Sequence, residues 1–389
     1  VVELANTREV DMPPIPTRST LSPWQQVVDG LADDAVEGLS PGPPQRILAS
    51  VEQRAERGHP AARRFFDATR DMPAFCDLDA YEHGRRLIVG LGTELALVLV
   101  TGALVSGYAS PSLSGPLLAT GRLRSDASQR LYETGQMVHN ARAPGGLAPD
   151  GIGRRTILQV RLLHATVRLR LEAHGYVGPD GGRAIHQLDM AHTATAFSHK
   201  GPTALTQLGI VLTPEERDNM HHFWRVVNHL HGVDLALLPE TPEETAHLSD
   251  LLDDWRYSLD FTEGAELAHA ALKSVAGLPP FFLPYEALGT LARRCMSPAQ
   301  ANAWDLPNHS TWGRLLDGIA SGQAALTAVW RVLPTVQRAR ARANVALYGR
   351  TLRYHLGADP SERAFGGIAG EEAWLGPGLE PLHLGRRTA

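Results

Sequence analysis

The amino-acid sequence predicts an all-α fold, organised as one large helical domain, and three observations lead there. Strand signals are scarce, with no sustained period-2 runs and no Asn-Gly hairpin, while apolar residues recur at helical spacing. The tetrapeptide Thr-Pro-Glu-Glu occurs at Thr213 and again at Thr241. Each can start a helix, because threonine caps, proline suits the first turn and the glutamate three positions on closes a capping box. A long apolar stretch, 87–105, reads as a buried central helix.

In chain order, residues 1–45 are rich in proline (Pro13, Pro14, Pro16, Pro23, Pro41, Pro43, Pro44) and read as an extended arm with one short helix near 24–31. Helices are predicted over 44–57, 61–68, 78–105 and 115–141. A Gly/Pro loop at 144–153 precedes a long helix, 154–173, that Gly175 ends. After a loop at 178–182 come a helix over 187–197 and the two Thr-Pro-Glu-Glu helices, running to about 231 and 259. Residues 261–285 hold one helix and a Pro-Pro break. Helices at 285–294 and 311–348 follow, the second bent or divided by Pro334. The tail, 358–389, reads as irregular. No linker separates independent cores within 46–357, so that stretch is taken as one domain.

Composition narrows the function classes. With 43% hydrophobic and 20% charged residues the chain can bury a real core. A net charge of −5 argues against a nucleic-acid partner. The 87–105 stretch is long enough to span a bilayer, but Glu94 interrupts it and Gly90, Gly92 and Gly102 thin it, so no transmembrane segment is expected. Cys76 and Cys295 allow one bridge at most, and both are expected free. Seventeen histidines raise the prospect of a bound metal. The chain starts at Val1, which fits a removed presequence and favours an extracellular over a cytoplasmic location.

Three blocks could carry chemistry. In VRLLHATVR (160–168), Arg161, His164 and Arg168 recur at i, i+3, i+7. They form either a solvated face or the polar wall of a buried cavity, where guanidinium groups bind carboxylates. In IHQLDMAHTATAFS (185–198), His192 lies among small and apolar neighbours that leave room for a flat ring system against the helix. It is either a satisfied core histidine or a ligand, with Asp189 placed to accept its Nδ1 proton. In MHHFWRVVNHLHGVD (220–234), His221, His222, His229 and His231 invite a zinc reading, but no HExxH is present. His231, just before Gly232, reads as a helix C-terminal residue.

Taken in order, VRLLHATVR, IHQLDMAHTATAFS and LGIVLTPEERDNMHHFWRVVNHLHGVDLALLPETPEE resemble the superfamily of bacterial latex-clearing proteins, the rubber oxygenases, and the fungal mycophenolate-pathway side-chain oxygenase. The resemblance covers roughly residues 85–260. It implies a globin-like core holding haem b, with His192 as the axial ligand of iron. It also implies a haem-dependent oxygenase that uses dioxygen to cleave a carbon–carbon double bond of an apolar substrate, such as an isoprenoid or polyisoprene, to carbonyl products. Arg161 and His164 then line the distal side, Arg161 and Arg168 hold the haem, and Glu133 in RLYETGQ is the candidate base. The family's distal lysine has no counterpart near Arg161, which puts rubber itself in question as the substrate. A haem-dependent hydroxylase or other tailoring enzyme, and a non-catalytic haem or lipid carrier, are the alternatives. A monomer is expected.

Overall fold

The computed structural model describes residues 16–120 and 127–357, and among these residues helices alternate with turns and no strand occurs. The helices in order are α1 (Arg18–Leu21), α2 (Gly30–Val36), α3 (Pro44–Glu56), α4 (Pro60–Thr69), α5 (Leu78–Val98) and α6 (Val105–Gly107). Then come α7 (Pro111–Thr120), α8 (Ala127–Ala141), α9 (Ile152–Ala173), α10 (Gln187–Thr195), α11 (Gly201–Ala204) and α12 (Pro214–Leu230). The last six are α13 (Pro242–Arg256), α14 (Thr262–Val275), α15 (Tyr285–Arg294), α16 (Pro298–Ala303), α17 (Ser310–Val332) and α18 (Pro334–Leu356).

Both Thr-Pro-Glu-Glu segments form the expected capping boxes. Thr213 caps α12 with Glu216 reaching back, and Thr241 caps α13 with Glu244 doing the same. Each satisfies helix-end N–H groups that have no partner inside the helix. Pro334 divides the predicted last helix into α17 and α18. The predicted 115–141 helix instead begins at Pro111, and residues 121–126 within it lie outside the described region. The expected tail, 358–389, and the first 15 residues lie outside it too.

α5 is the central helix. It continues through a π-helical turn, Leu99–Leu104, into α6. Over Leu78–Gly107 it is long and apolar enough to cross a membrane, yet most of it is buried inside the protein. Ile88, Leu91, Leu95 and Val98 on α5 share one core cluster with Met220, Phe223, Trp224 and Val227 on α12. Each fully buried side chain of this kind contributes about 1.5–3 kcal/mol. The two helices approach closely at Gly84, where any Cβ would collide with the Asn219 carbonyl.

The N-terminal part differs from its prediction. The helix expected at 24–31 is a short 3-10 turn, Ser22–Gln25, followed by α2. α2 is no loose arm: Ala32, Ala35 and Val36 are buried in a second cluster with α3, α4 and the Leu158, Leu162 and Ala165 side of α9. The physical reason is ionic as well as apolar. Asp29 and Asp33, which bracket the start of α2, are the partners of two arginines on α9. α9 therefore lies between the main core and the N-terminal helices.

Candidate active site

A cavity of about 360 Å³ opens between the π turn after α5, α7, α8, α9, α10 and α12. That size suits a small-molecule or cofactor site. Its wall is mainly apolar, from side chains such as Leu99, Leu117, Val138, Leu163, Phe197 and Trp224. Two π-helical turns border it, Leu99–Leu104 and Ala196–Lys200. Such turns re-aim side chains within a helix and recur at functional sites.

α9 presents two different faces. Arg161 and Arg168 lie in nearly the same direction, whereas His164 is turned about 60° away from Arg161. The arginines point to the N-terminal helices. Arg161 binds Asp29 through Nε (2.6 Å) and Nη2 (2.9 Å) and also donates to the Leu230 carbonyl. Gly232 makes room for this pair: with φ of +96°, it has no Cβ to strike Arg161 Nε. Arg168 binds Asp33 through Nε and Nη2 and donates to the Ile185 carbonyl. Neither arginine lines the cavity. Arg161 and Arg168, expected at the distal side or on the haem, are instead engaged by Asp29 and Asp33 on the side of the N-terminal helices.

His164 does line the cavity, beside His231 at the C-terminal end of α12, with ring centroids 5.9 Å apart. His164 Nδ1, His231 Nε2 and Asn228 Nδ2 are buried with no hydrogen-bond partner. Burial, aided by the charge of Arg161, pushes the His231 imidazole down to about 4. Burial likewise holds His164 well below its ordinary range, helped by His231 and Arg130. Both rings are therefore neutral near pH 7, and each offers the cavity one nitrogen without a competitor.

His192 lines the same cavity from α10. One ring nitrogen, Nε2, donates to Asp253 Oδ1 on α13 at 2.8 Å, while Nδ1 is buried without a partner. Lys200 Nζ donates to the same Asp253 oxygen at 2.6 Å and also to the Tyr257 hydroxyl. Burial pushes His192 down to about 4, against the raising effect of Asp253. Burial raises Asp253, but the His192 hydrogen bond and the Lys200 charge outweigh it and hold the carboxyl below its ordinary range. A carboxylate thus fixes one nitrogen of a neutral imidazole and leaves the other free, the arrangement of a metal-ligating histidine.

The expected partner of His192 was Asp189, and the structure corrects this. Asp189 is taken by Arg256 and by Ser112 Oγ (2.8 Å), and its backbone N–H donates to His186 Nδ1, which caps α10. Glu133, the candidate base, stands outside the cavity lining. Its neighbours Tyr132 and Thr134 line the cavity, but Glu133 is about a third exposed and bonded to Gln129 and Arg130. The zinc block disperses as well. His221 pairs with Thr245 and His222 accepts from the Asp77 backbone. Among the described residues no group of three or more His, Cys, Asp or Glu could hold a metal. Cys76 and Cys295 are free. The sequence reading missed Asp253, Lys200 and Tyr257. It saw His231 as a helix-end residue, and the only signal for a second role was its place in a histidine-rich block.

The family described as "ER-bound oxygenase mpaB/B'/Rubber oxygenase, catalytic domain" matches residues 82–369. A solved structure described as "Structure of Latex Clearing Protein LCP in the closed state" is similar with a TM-score of 0.55 and 17% identity, covering 83% of this chain and 91% of that one. At that identity the likeness shows a shared helical fold. Among curated protein sequences none matches. The family match takes in α6 to α18 and nearly all of α5, every helix around the cavity included, and by it the chain belongs to the family of mpaB-type and rubber oxygenases and is an oxygenase of that family.

Proposed function

We propose that the cavity binds haem b, with His192 as the axial ligand of the iron, and that the protein uses dioxygen to cleave a carbon–carbon double bond of an apolar substrate. The observation that carries this reading is a pair of imidazoles lining one apolar cavity, His192 on α10 and His164 on α9, each with a buried Nδ1 that has no partner among the described residues. A buried polar atom left unpaired costs about 1–3 kcal/mol, so two of them on residues that line one cavity favour a ligand that uses them. The mainly apolar lining suits an apolar macrocycle. Arg130 is a basic side chain on it that suits a propionate.

Haem b, when bound, supplies the activation of dioxygen. The chain supplies the rest. Asp253 holds the His192 ring in one tautomer and orientation, and Lys200 neutralises Asp253 so that a lone buried carboxylate is not left beside the site. His164 and His231, both neutral, can each donate or accept one hydrogen bond toward the oxygen side of the reaction. The apolar wall excludes water and selects an apolar alkene. The balance is simple: one dioxygen supplies both oxygens of the two carbonyl groups that replace the double bond.

An absorption spectrum of the purified protein tests this. The expected result is a Soret band at one haem per chain in the wild type and its loss in His192→Ala with helix content retained. An unchanged spectrum in His192→Ala would remove the ligand assignment. Turnover with dioxygen and an apolar alkene tests the reaction, two carbonyl fragments being expected; an alcohol in their place would turn the reading to hydroxylation.

A further inference from the structure

The helices α17 and α18 carry a surface that the oxygenase site does not use. Leu315, Ile319, Leu326 and Val329 on α17 are all exposed, between 44% and 58%. At 100° per residue they fall within an arc of about 80°. The buried Leu316 and Thr327 lie about 110° round the helix from that row and mark the inward side. On α18 the exposed Val336, Leu347 and Tyr354 again fall along one line of the helix. Single exposed apolar residues are ordinary, but aligned rows on consecutive helices mark an interaction surface.

Charge identifies the partner. Residues 310–357 contain seven arginines, no lysine and a single acidic residue, Asp317, in a chain whose net charge is −5. Asp317 is already paired with Arg294. Arg342, Arg350 and Arg353 flank the Leu347–Tyr354 row, are exposed, and form no ion pair among the described residues. Two copies of so basic a surface would repel each other, which argues against self-pairing. A nucleic acid would match the charge but leave the Leu, Ile and Val rows in water. A surface both anionic and apolar just below its head groups matches both features.

We propose that the α17–α18 surface docks on an anionic lipid bilayer, with the leucine, isoleucine and valine rows entering the head-group boundary and the arginines pairing with lipid phosphates and carboxylates. α18 also links this surface to the cavity, since Tyr348 and Thr351 on its inner side line it. Docking there brings an apolar substrate dissolved in the bilayer next to the site. The proposal does not depend on haem.

The test is sedimentation of the full-length protein with phosphatidylcholine vesicles, with and without phosphatidylserine. Binding is expected to the phosphatidylserine vesicles and to fall with rising salt. Replacing Arg342, Arg350 and Arg353 together by Gln is expected to weaken it about a hundredfold, at about 1 kcal/mol per arginine. Leu326→Glu is expected to abolish it while Tm stays near wild type, because the side chain is exposed. No sedimentation with anionic vesicles at low salt, or binding that neither variant changes, would overturn the proposal. So would a wild-type dimer in analytical ultracentrifugation that Leu326→Glu dissociates, which would assign the surface to a second copy.

Discussion

The two faces of α9 carry similar residue types and end in opposite states. On one face Arg161 and Arg168 are buried and fully engaged by Asp29, Asp33 and two backbone carbonyls. On the other, His164 is half-buried, and its buried Nδ1 has no partner among the described residues. A buried charge is tolerated only when paired, and pairing converts it into structure. A buried polar group left unpaired is instead a prepared contact for something that arrives later. Within one helix, then, hydrogen-bond satisfaction separates the arginines that tie down the N-terminal helices from the histidine that lines the cavity.

The sharpest way to break that distinction is to remove Arg168. If it is structural, Arg168→Ala strands Asp33, whose carboxyl burial already raises despite the arginine. The expected loss is about 3–5 kcal/mol in denaturant unfolding. The paired replacement Arg168→Met with Asp33→Leu is expected to recover most of it, since an apolar pair needs no neutralisation. Haem content per folded molecule should be unchanged in the double variant. A stable Arg168→Ala protein that fails to bind haem would put the arginine back at the site.

Much of the fold could be read from local chemistry. The capping boxes at Thr213 and Thr241, the buried run around Leu91 and the break at Pro334 are set by residues within a few positions of one another. The burial of α2 could not be read that way. It depends on Asp29 and Asp33 meeting arginines more than 130 positions away, as does the inward face of α9, where i, i+3, i+7 spacing grouped His164 with two residues that point elsewhere. The site was half legible for the same reason. His192 stood out among small neighbours, but Asp253 comes from a helix 61 positions on, and nothing in its own segment, LLDDWRY, distinguishes it from its neighbour Asp254.

A smaller effect tests the other face. In the unfolded chain His231 takes up its proton near 6.5, and in the fold only near 4. Between these values the unfolded state binds more protons, so acid favours unfolding. The contribution is nil above about pH 6.5, grows as pH falls and levels off below about 4, at about 1.4 kcal/mol per pH unit in between. His221, also pushed down to about 4 by burial, adds to the same slope. In cofactor-free protein, His231→Asn is expected to flatten stability against pH by about that one histidine's share. An unchanged slope would mean that His231 is not held neutral, and the contrast between the two faces would weaken.

The smallest expected effect belongs to Glu133, the carboxylate that the family resemblance offered as base. A base must reach the proton it takes, and Glu133 is spent on Gln129 and Arg130 while Tyr132 and Thr134 beside it line the cavity. Surface pairs of this kind are worth about 0–1 kcal/mol. Glu133→Gln is therefore expected to change stability by less than about 0.5 kcal/mol and to leave haem content and turnover near wild type. Its Arg130 partner does line the cavity, so a modest change in apparent substrate or haem affinity is compatible with this reading. Loss of most turnover in a haem-replete Glu133→Gln protein is not. That result would mean the α8 helix turns in the working enzyme to bring the carboxylate inward.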